Sequence, residues 1–293
     1  MELKEQLKNL IKEKKYSVSY VARAINVSAA TLHLWLNDNY KGKVEKVRKA
    51  VEQFIELENL RNETVDIPFV NTTIAEDVFE IAKTCHVENE IGVCCGDAGL
   101  GKTYAVKMYN IEHSDVILIE ADLGYTPKVL FSEIHKKLGF DGIGSIHSML
   151  LDIINKLKYS GRLIIVDEAE YLPYKALELL RRIYDKANVG VLLVGMPKLL
   201  KNLRGEKGQY TQLYSRVGIV KELNPLTKED GLAIVSSVTP NTSIYPQIST
   251  YCGSNTRVLT KLLVRALRIA KLNDIEVNED AINLSLSQLL WSK

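Results

Sequence analysis

What this chain has least of bounds it first. Cysteine occurs only four times in 293 residues, at positions 85, 94, 95 and 252. Cys94 and Cys95 adjoin in an apolar stretch with neither the spacing nor the histidine partners of a zinc site, so the thiols read as free and buried, and a disulfide framework is excluded. No apolar run approaches the roughly eighteen residues of a membrane-spanning helix. The opening "MELKEQLKNLIKEKKYS" is charged every few residues and has no apolar region of secretory-signal type. A cytoplasmic protein with no membrane partner is therefore expected. Excess charge is scarce too, at +2 overall, while a hydrophobic content of 46% is enough for a substantial core.

That small net charge hides an asymmetry. Residues 1–50 carry eleven Lys or Arg against five Asp or Glu, a local charge of +6, and the remainder sums to −4. A basic N-terminal piece suits an anionic partner.

The basic piece reads as a small all-α unit. "LKEQLKNLIKEK" places Leu3, Leu7, Leu10 and Ile11 on one helical face, and "SVSYVARAINVSAATLHLWLN" gives two short helices around a tight turn. Ser17 and Ser28 are the N-caps, Ala22 permits close helix crossing, and Asn26 tolerates the left-handed geometry of the turn. Val18, Val21, Ile25, Val27, Leu32, Trp35 and Leu36 are the expected core. The pattern resembles a repressor-type helix-turn-helix whose recognition helix runs from Ser28 to Leu36. Its outer face offers Ser28, Ala29, Ala30, Thr31 and His33, with no Arg, Asn or Gln for a bidentate base contact. Lys41, Lys43, Lys46 and Lys49 follow and suit phosphate contacts, so double-stranded DNA bound with low sequence specificity is the expected partner. A protein-binding helical bundle is the alternative for this unit. A helix from Lys43 to about Leu60 closes it, giving a helix-turn-helix domain over 1–60 and a linker over 61–73 around Pro68.

From residue 74 strands alternate with helices, the pattern of an α/β domain on a mostly parallel sheet. "EIGVCC", "DVILIEA", "RLIIVDEAE", "VGVLLVG" and "GIVKEL" are the five expected strands, within an α/β core over 74–224. A helical subdomain over 225–293 follows, with Thr227 and Asn278 as expected caps.

"GDAGLGKTYAV" joins the first strand to a helix starting near Lys102. Gly96, Gly101, Lys102 and Thr103 match the spacing of a phosphate loop. Its glycines let backbone N–H groups converge on a β-phosphate, Lys102 reaches β and γ oxygens, and the Thr103 hydroxyl ligates Mg²⁺. Gly96, Asp97, Ala98, Gly99, Leu100, Gly101, Lys102, Thr103 and Tyr104 are the candidate ATP contacts. "LIIVDEAE" delivers Asp167 and Glu168 to the C-terminal end of a buried strand, where a parallel sheet opens its ligand crevice. Asp167 suits the Mg²⁺ shell, and Glu168 suits the catalytic carboxylate that polarises the attacking water. ATP and Mg²⁺ are the expected cofactors.

Through these motifs, residues 66–293 resemble an AAA+ ATPase: a P-loop domain with a parallel sheet and helical lid. Nearly the full length resembles the phage Mu B type of transposition ATPase, which sets a helix-turn-helix before that domain. The resemblance rests on "NVSAATLHLWLNDNYKGKVEKVRKAVEQFI", "GDAGLGKT", "LIIVDEAEYL", "LLVGMPKL", "LYSRVG" and "GSNTRVLTKLL". It implies that Arg216 is an arginine finger completing a neighbouring subunit's site, with Arg204 as the alternative, and that Arg257 is the sensor-2 arginine of the lid. Sensor 1 is ordinarily a polar residue at the end of the fourth strand, where this chain has Met196, so either a nearby residue substitutes or hydrolysis is slow. Arg257, Lys261, Arg265 and Arg268 make a basic stripe on one lid helix.

The expected function is an ATP-dependent, DNA-stimulated ATPase that forms a homo-oligomer or helical filament on target DNA and presents that DNA to a transposase. Two other readings stand beside it: a nucleotide-sensing helix-turn-helix transcriptional regulator, and a secretion or remodelling ATPase.

Overall fold

The computed structural model describes residues 2–62, 66–205 and 211–287. Part of the expected linker (63–65) and the "QLL" end of the last expected helix (288–290) lie outside the described residues. The chain divides into two compact units, Met1–Asp66 and Ile67–Lys293.

In the first unit, α1 (Glu2–Glu13), α2 (Val18–Ala24), α3 (Ala29–Leu36) and α4 (Val44–Asn62) enclose a small core. Ser17 accepts from the Tyr20 N–H and Ser28 from the Thr31 N–H, so both caps act through their hydroxyls. Asn26 turns the chain between α2 and α3 at φ 54°, in the left-handed region. Leu7, Val21, Ala22, Leu32, Trp35, Val47 and Val51 are buried, whereas Val18 and Val27 pack only partly against them. Glu58, buried on α4, accepts from the Tyr16 hydroxyl at 3.0 Å.

The second unit is built on a parallel sheet. Its elements run α5 (Thr73–Glu88), β1 (Ile91–Cys95), α6 (Lys102–Glu112), β2 (Val116–Glu120), α7 (Pro127–Lys137), α8 (Ile146–Leu157), β3 (Leu163–Asp167), α9 (Tyr174–Ala187) and β4 (Gly190–Gly195). Then come α10 (Lys198–Arg204), α11 (Thr211–Tyr214), β5 (Val217–Glu222) and the lid helices α12 (Lys228–Ser236), α13 (Tyr245–Cys252), α14 (Thr256–Leu272) and α15 (Glu279–Ser287). Strand order is β2-β3-β4-β1-β5, every pair parallel.

Every residue of β1, β3 and β4 is buried, which explains their nearly unbroken apolar sequence: both faces of the sheet are covered by helices. Because successive side chains point to opposite faces, these strands feed two cores. Cys94, Ile165 and Leu192 join α5, α6 and the lid helices on one side; Val93, Ile164 and Val191 join α7, α8 and α9 on the other. Each fully buried Leu or Ile contributes about 1.5–3 kcal/mol, and truncating Ile164 to alanine would cost about 2–5 kcal/mol. β5 lies at the sheet edge, and its residues alternate between half-buried and exposed. Ile67, Phe69 and Val70 pack against the lid-side core, and Thr72 caps α5, so the chain just before α5 is held by this unit.

Candidate nucleotide site

β1 ends at Cys95 and the loop that follows meets the N-terminus of α6. Gly99 (φ +85°) and Gly101 (φ +100°) both take left-handed backbone, which a residue with a β-carbon adopts only under strain. Gly101 is the N-cap of α6 and has no side chain to occupy the helix's first N–H groups, leaving them to an anion. Lys102 is buried, and its ammonium donates to the carbonyls of Gly96 and Asp97, 2.7 Å each. Burial pulls its pKa down, while Asp167, Cys94, Glu170 and Asp97 act in the opposite direction. Asp97, Ala98 and Tyr104 are exposed, Gly99 and Thr103 half-buried, and Leu100 is anchored in the core.

β3 brings its carboxylates to the same edge of the sheet. Asp167 is 1% exposed, and its Oδ2 has no hydrogen-bond partner, an arrangement that costs free energy unless a cation or donor arrives. Burial pushes its carboxyl up; the Thr103 hydroxyl, the Glu168 N–H (2.9 Å to Oδ1) and Lys102 pull it back. A hydroxyl and an unpartnered carboxylate oxygen side by side are the hard oxygen donors that Mg²⁺ prefers, so Thr103 and Asp167 fit that ion.

Glu168 stands next, exposed and in left-handed backbone at φ 53°, ψ 35°. A non-glycine residue held there costs about 1–3 kcal/mol, a strain that clusters at functional sites. Partial desolvation of the carboxyl by its neighbours raises its pKa, the charges of Asp167 and Glu170 raise it further, and Arg257 lowers it.

Arg257, at the start of α14, donates its N–H to the Gly99 carbonyl at 3.0 Å, placing the lid on the phosphate loop. A cavity of about 390 Å³ opens there, lined by Ala98, Gly99, Cys252, Asn255, Arg257, Val258 and Lys261. Gly96–Tyr104, Asp167, Glu168 and Arg257 thus come together.

Arg216 and Arg204 do not join them. Arg216 immediately precedes β5, whose Val217 pairs with Ile91 at the start of β1, so it stands at the opposite end of the sheet from the loop after Cys95. Five residues of strand at about 3.3 Å each separate the two by roughly 16 Å. Arg216 is half exposed, with Nε 3.1 Å from Asp185 Oδ1. Arg204 donates to the Tyr214 hydroxyl at 3.1 Å and lies over its ring.

Met196 follows β4 and is 39% exposed. Sequence reasoning missed the residue beside it. Glu170 is buried in the turn after β3, with Oε2 unpartnered and packed so closely on Gly195 that a β-carbon there would collide with it. The Asn202 amide holds this turn, donating to the Glu170 carbonyl at 2.9 Å. The acidic run "DEAE" was the available signal. Cys85 and Cys94 are free and buried, their thiols pushed up to about 12 by desolvation first, so neither is a reactive thiolate.

In the first unit, Ser28, Ala29 and His33 are exposed, and Thr31 is half-buried. The hydroxyls of Ser28 and Thr31 are 2.8 Å apart, engaged with each other at the cap. Lys41 and Lys43 lie exposed between α3 and α4. Among the described residues no helix is long and apolar enough to cross a membrane.

Comparison with known proteins gives consistent results. A family model described as "AAA domain" matches residues 86–203. The Mu-like prophage FluMu DNA transposition protein B of Haemophilus influenzae is 30% identical over 245 residues, covering 81% of this chain and 85% of that protein. The ATP-dependent target DNA activator B of Escherichia phage Mu is 24% identical over 301 residues, covering 98% and 95%. Among solved structures, the Aeropyrum pernix ORC2 protein superposes with a TM-score of 0.59 at 18% identity, over 75% of this chain and 68% of that one. A Thermotoga maritima RuvB mutant gives 0.51 at 16% identity, over 78% and 73%. These last two likenesses concern the fold alone.

Proposed function

This chain belongs to the AAA+ ATPase family of Mu-type transposition protein B, and from that membership we propose that it is a DNA-bound switch: it assembles on target DNA with ATP, presents that DNA to a transposase, and leaves after hydrolysis. It is an ATPase. The observation that carries the reading is the occurrence, in one chain, of a phosphate-loop motif with a strand-end carboxylate pair and of a small helical unit with a charge of +6 over residues 1–50.

The chemistry follows from the residues. The loop N–H groups and Lys102 hold the β- and γ-phosphates. Thr103 and Asp167 would hold Mg²⁺, which would supply neutralisation of charge on the phosphate oxygens. Glu168 orients a water for in-line attack on the γ-phosphorus and accepts its proton as the bond to the bridging oxygen breaks. The raised pKa of its carboxyl makes it a better base than an ordinary glutamate. Arg257 reaches the γ-phosphate from the lid.

Arg216 fits a finger acting across a subunit interface, because roughly 16 Å of strand separates it from its own phosphate loop. A site completed from a neighbour requires an oligomer, and DNA stimulates hydrolysis by bringing neighbours together. Contacts through α3 and the lysines after it are weakly specific, since Ala29, Thr31 and His33 offer no bidentate base reader and Lys41 and Lys43 suit phosphates.

Electron microscopy with and without long nonspecific duplex DNA and a slowly hydrolysed ATP analogue tests this. Filaments or stacked rings that need both DNA and analogue support it. No assembly on nonspecific DNA even with the analogue would favour a transcriptional regulator that needs its own operator, and DNA-independent rings would favour a remodelling ATPase.

A further inference from the structure

The lid meets the phosphate loop through more than its arginine. Asn255 is the N-cap of α14: its Oδ1 accepts from the Val258 N–H at 3.1 Å, and its Nδ2 donates to the Ala98 carbonyl at 3.2 Å. The Thr256 hydroxyl donates to the Leu100 carbonyl at 3.2 Å, and the Arg257 N–H to the Gly99 carbonyl at 3.0 Å. Three consecutive lid residues therefore take three consecutive carbonyls of the loop, across a sequence separation of 157 at Asn255. The approach is close enough that a β-carbon on Gly99 would collide with the Asn255 amide.

Each of those carbonyls shares its peptide plane with the next residue's N–H. Fixing the carbonyls of Ala98, Gly99 and Leu100 fixes the N–H groups of Gly99, Leu100 and Gly101, which are the donors a phosphate loop offers. A hydrogen bond to the carbonyl also polarises its peptide and strengthens the N–H as a donor.

We propose that Asn255 is a positioning residue for the nucleotide, gripping the carbonyl side of the phosphate loop so that its N–H side is aimed at the phosphates and phosphate binding is coupled to docking of α14. The proposal rests on the nucleotide-binding reading of this site. Coupling runs both ways: a lid docked by Asn255 tightens nucleotide binding, and bound phosphate tightens the lid's hold on the loop. The full nucleotide signal then reaches the lid without depending on Arg257 alone.

The amide's two ends allow a clean test. Asn255→Ser keeps a cap acceptor for the Val258 N–H but is too short to reach Ala98; Asn255→Ala loses both. In the full-length protein, a fluorescent ADP is titrated, melting temperature is measured without nucleotide, and amide exchange of residues 256–260 is followed with and without ADP. Asn255→Ser is expected to melt within about 2 °C of the parent, bind ADP roughly five- to tenfold more weakly, and lose most of the ADP-dependent protection at the start of α14. Asn255→Ala should add a fall in melting temperature.

Parental ADP affinity and protection in Asn255→Ser would overturn the proposal, as would a loss of affinity matched by an equal loss of stability in both variants, which would make Asn255 a helix cap only. Failure of the parent protein itself to bind ADP would instead overturn the nucleotide reading on which the proposal stands.

Discussion

Replacing Asp230 by alanine tests how the lid is tied to the α/β core. Asp230 is 5% exposed and serves two helices at once. At the third position of α12 it completes a capping box, accepting from the Thr227 N–H at 3.2 Å while Thr227 accepts from its own N–H. It also accepts from the Thr73 N–H at 2.8 Å and the Thr73 hydroxyl at 2.6 Å, at the first turn of α5. Hydrogen bonds to a charged group contribute about 1.5–3 kcal/mol each. Three lost together are not additive, and Asp230→Ala should cost about 3–5 kcal/mol. For a unit of this size each kcal/mol is about 2–4 °C of melting temperature, so a fall of roughly 10 °C is expected. Scanning calorimetry of the full chain at pH 7 reads it directly. The pH dependence gives the sign. Burial alone would raise this carboxyl, but the Thr73 and Thr227 donors outweigh it and hold the pKa below the usual value. Its stabilisation is therefore complete above an unfolded pKa of about 3.9 and lost as pH falls through the lower folded value. The gap between parent and variant should close on acidification through that window. A gap under about 3 °C at pH 7, or one unchanged by acidification, would refute the reasoning.

Two further outcomes follow from the site. Glu170→Gln removes one of the charges that, after burial and Asp167, hold the Glu168 pKa up, so the acid limb of the pH–rate profile for ATP hydrolysis should move to lower pH; an unmoved limb would show that Glu170 does not act on Glu168. Arg216→Ala should bind ATP yet lack DNA-stimulated hydrolysis, and adding Lys102→Ala subunits, which retain Arg216, should restore part of it. No rescue in verified mixed oligomers would leave Arg204 as the next candidate for the finger.

What the sequence made legible was whatever is encoded locally. Apolar runs marked β1 through β4, serines and Thr227 marked helix starts through their own next turn, and the loop and "DE" pair stood at the strand ends where phosphate chemistry needs them. Strand order was not legible, because nothing local in "VGVLLVG" says that β4 lies between β1 and β3. The burial of Glu170 was not legible either, because only the folded turn after β3 packs it against Gly195. Asn255 and Asp230 both stand at helix starts, and both have second partners 157 residues away, at Ala98 and Thr73. Periodicity and capping rules see one turn of chain. Those contacts exist only once sheet and lid are packed.

The central claim is that the nucleotide state governs hold on DNA, and the most direct measurement is the lifetime of the protein on long nonspecific duplex DNA with ATP, for the parent, Lys102→Ala and Glu168→Gln. Lys102→Ala removes the cation that meets the β- and γ-phosphates and should abolish ATP-dependent retention. Glu168→Gln keeps ATP and Mg²⁺ bound but removes the base, so the ATP state accumulates and the lifetime should rise by roughly tenfold or more, since a lost general base slows hydrolysis at least that much. Retention of Lys102→Ala equal to the parent, or a Glu168→Gln lifetime no longer than the parent's, would contradict the account.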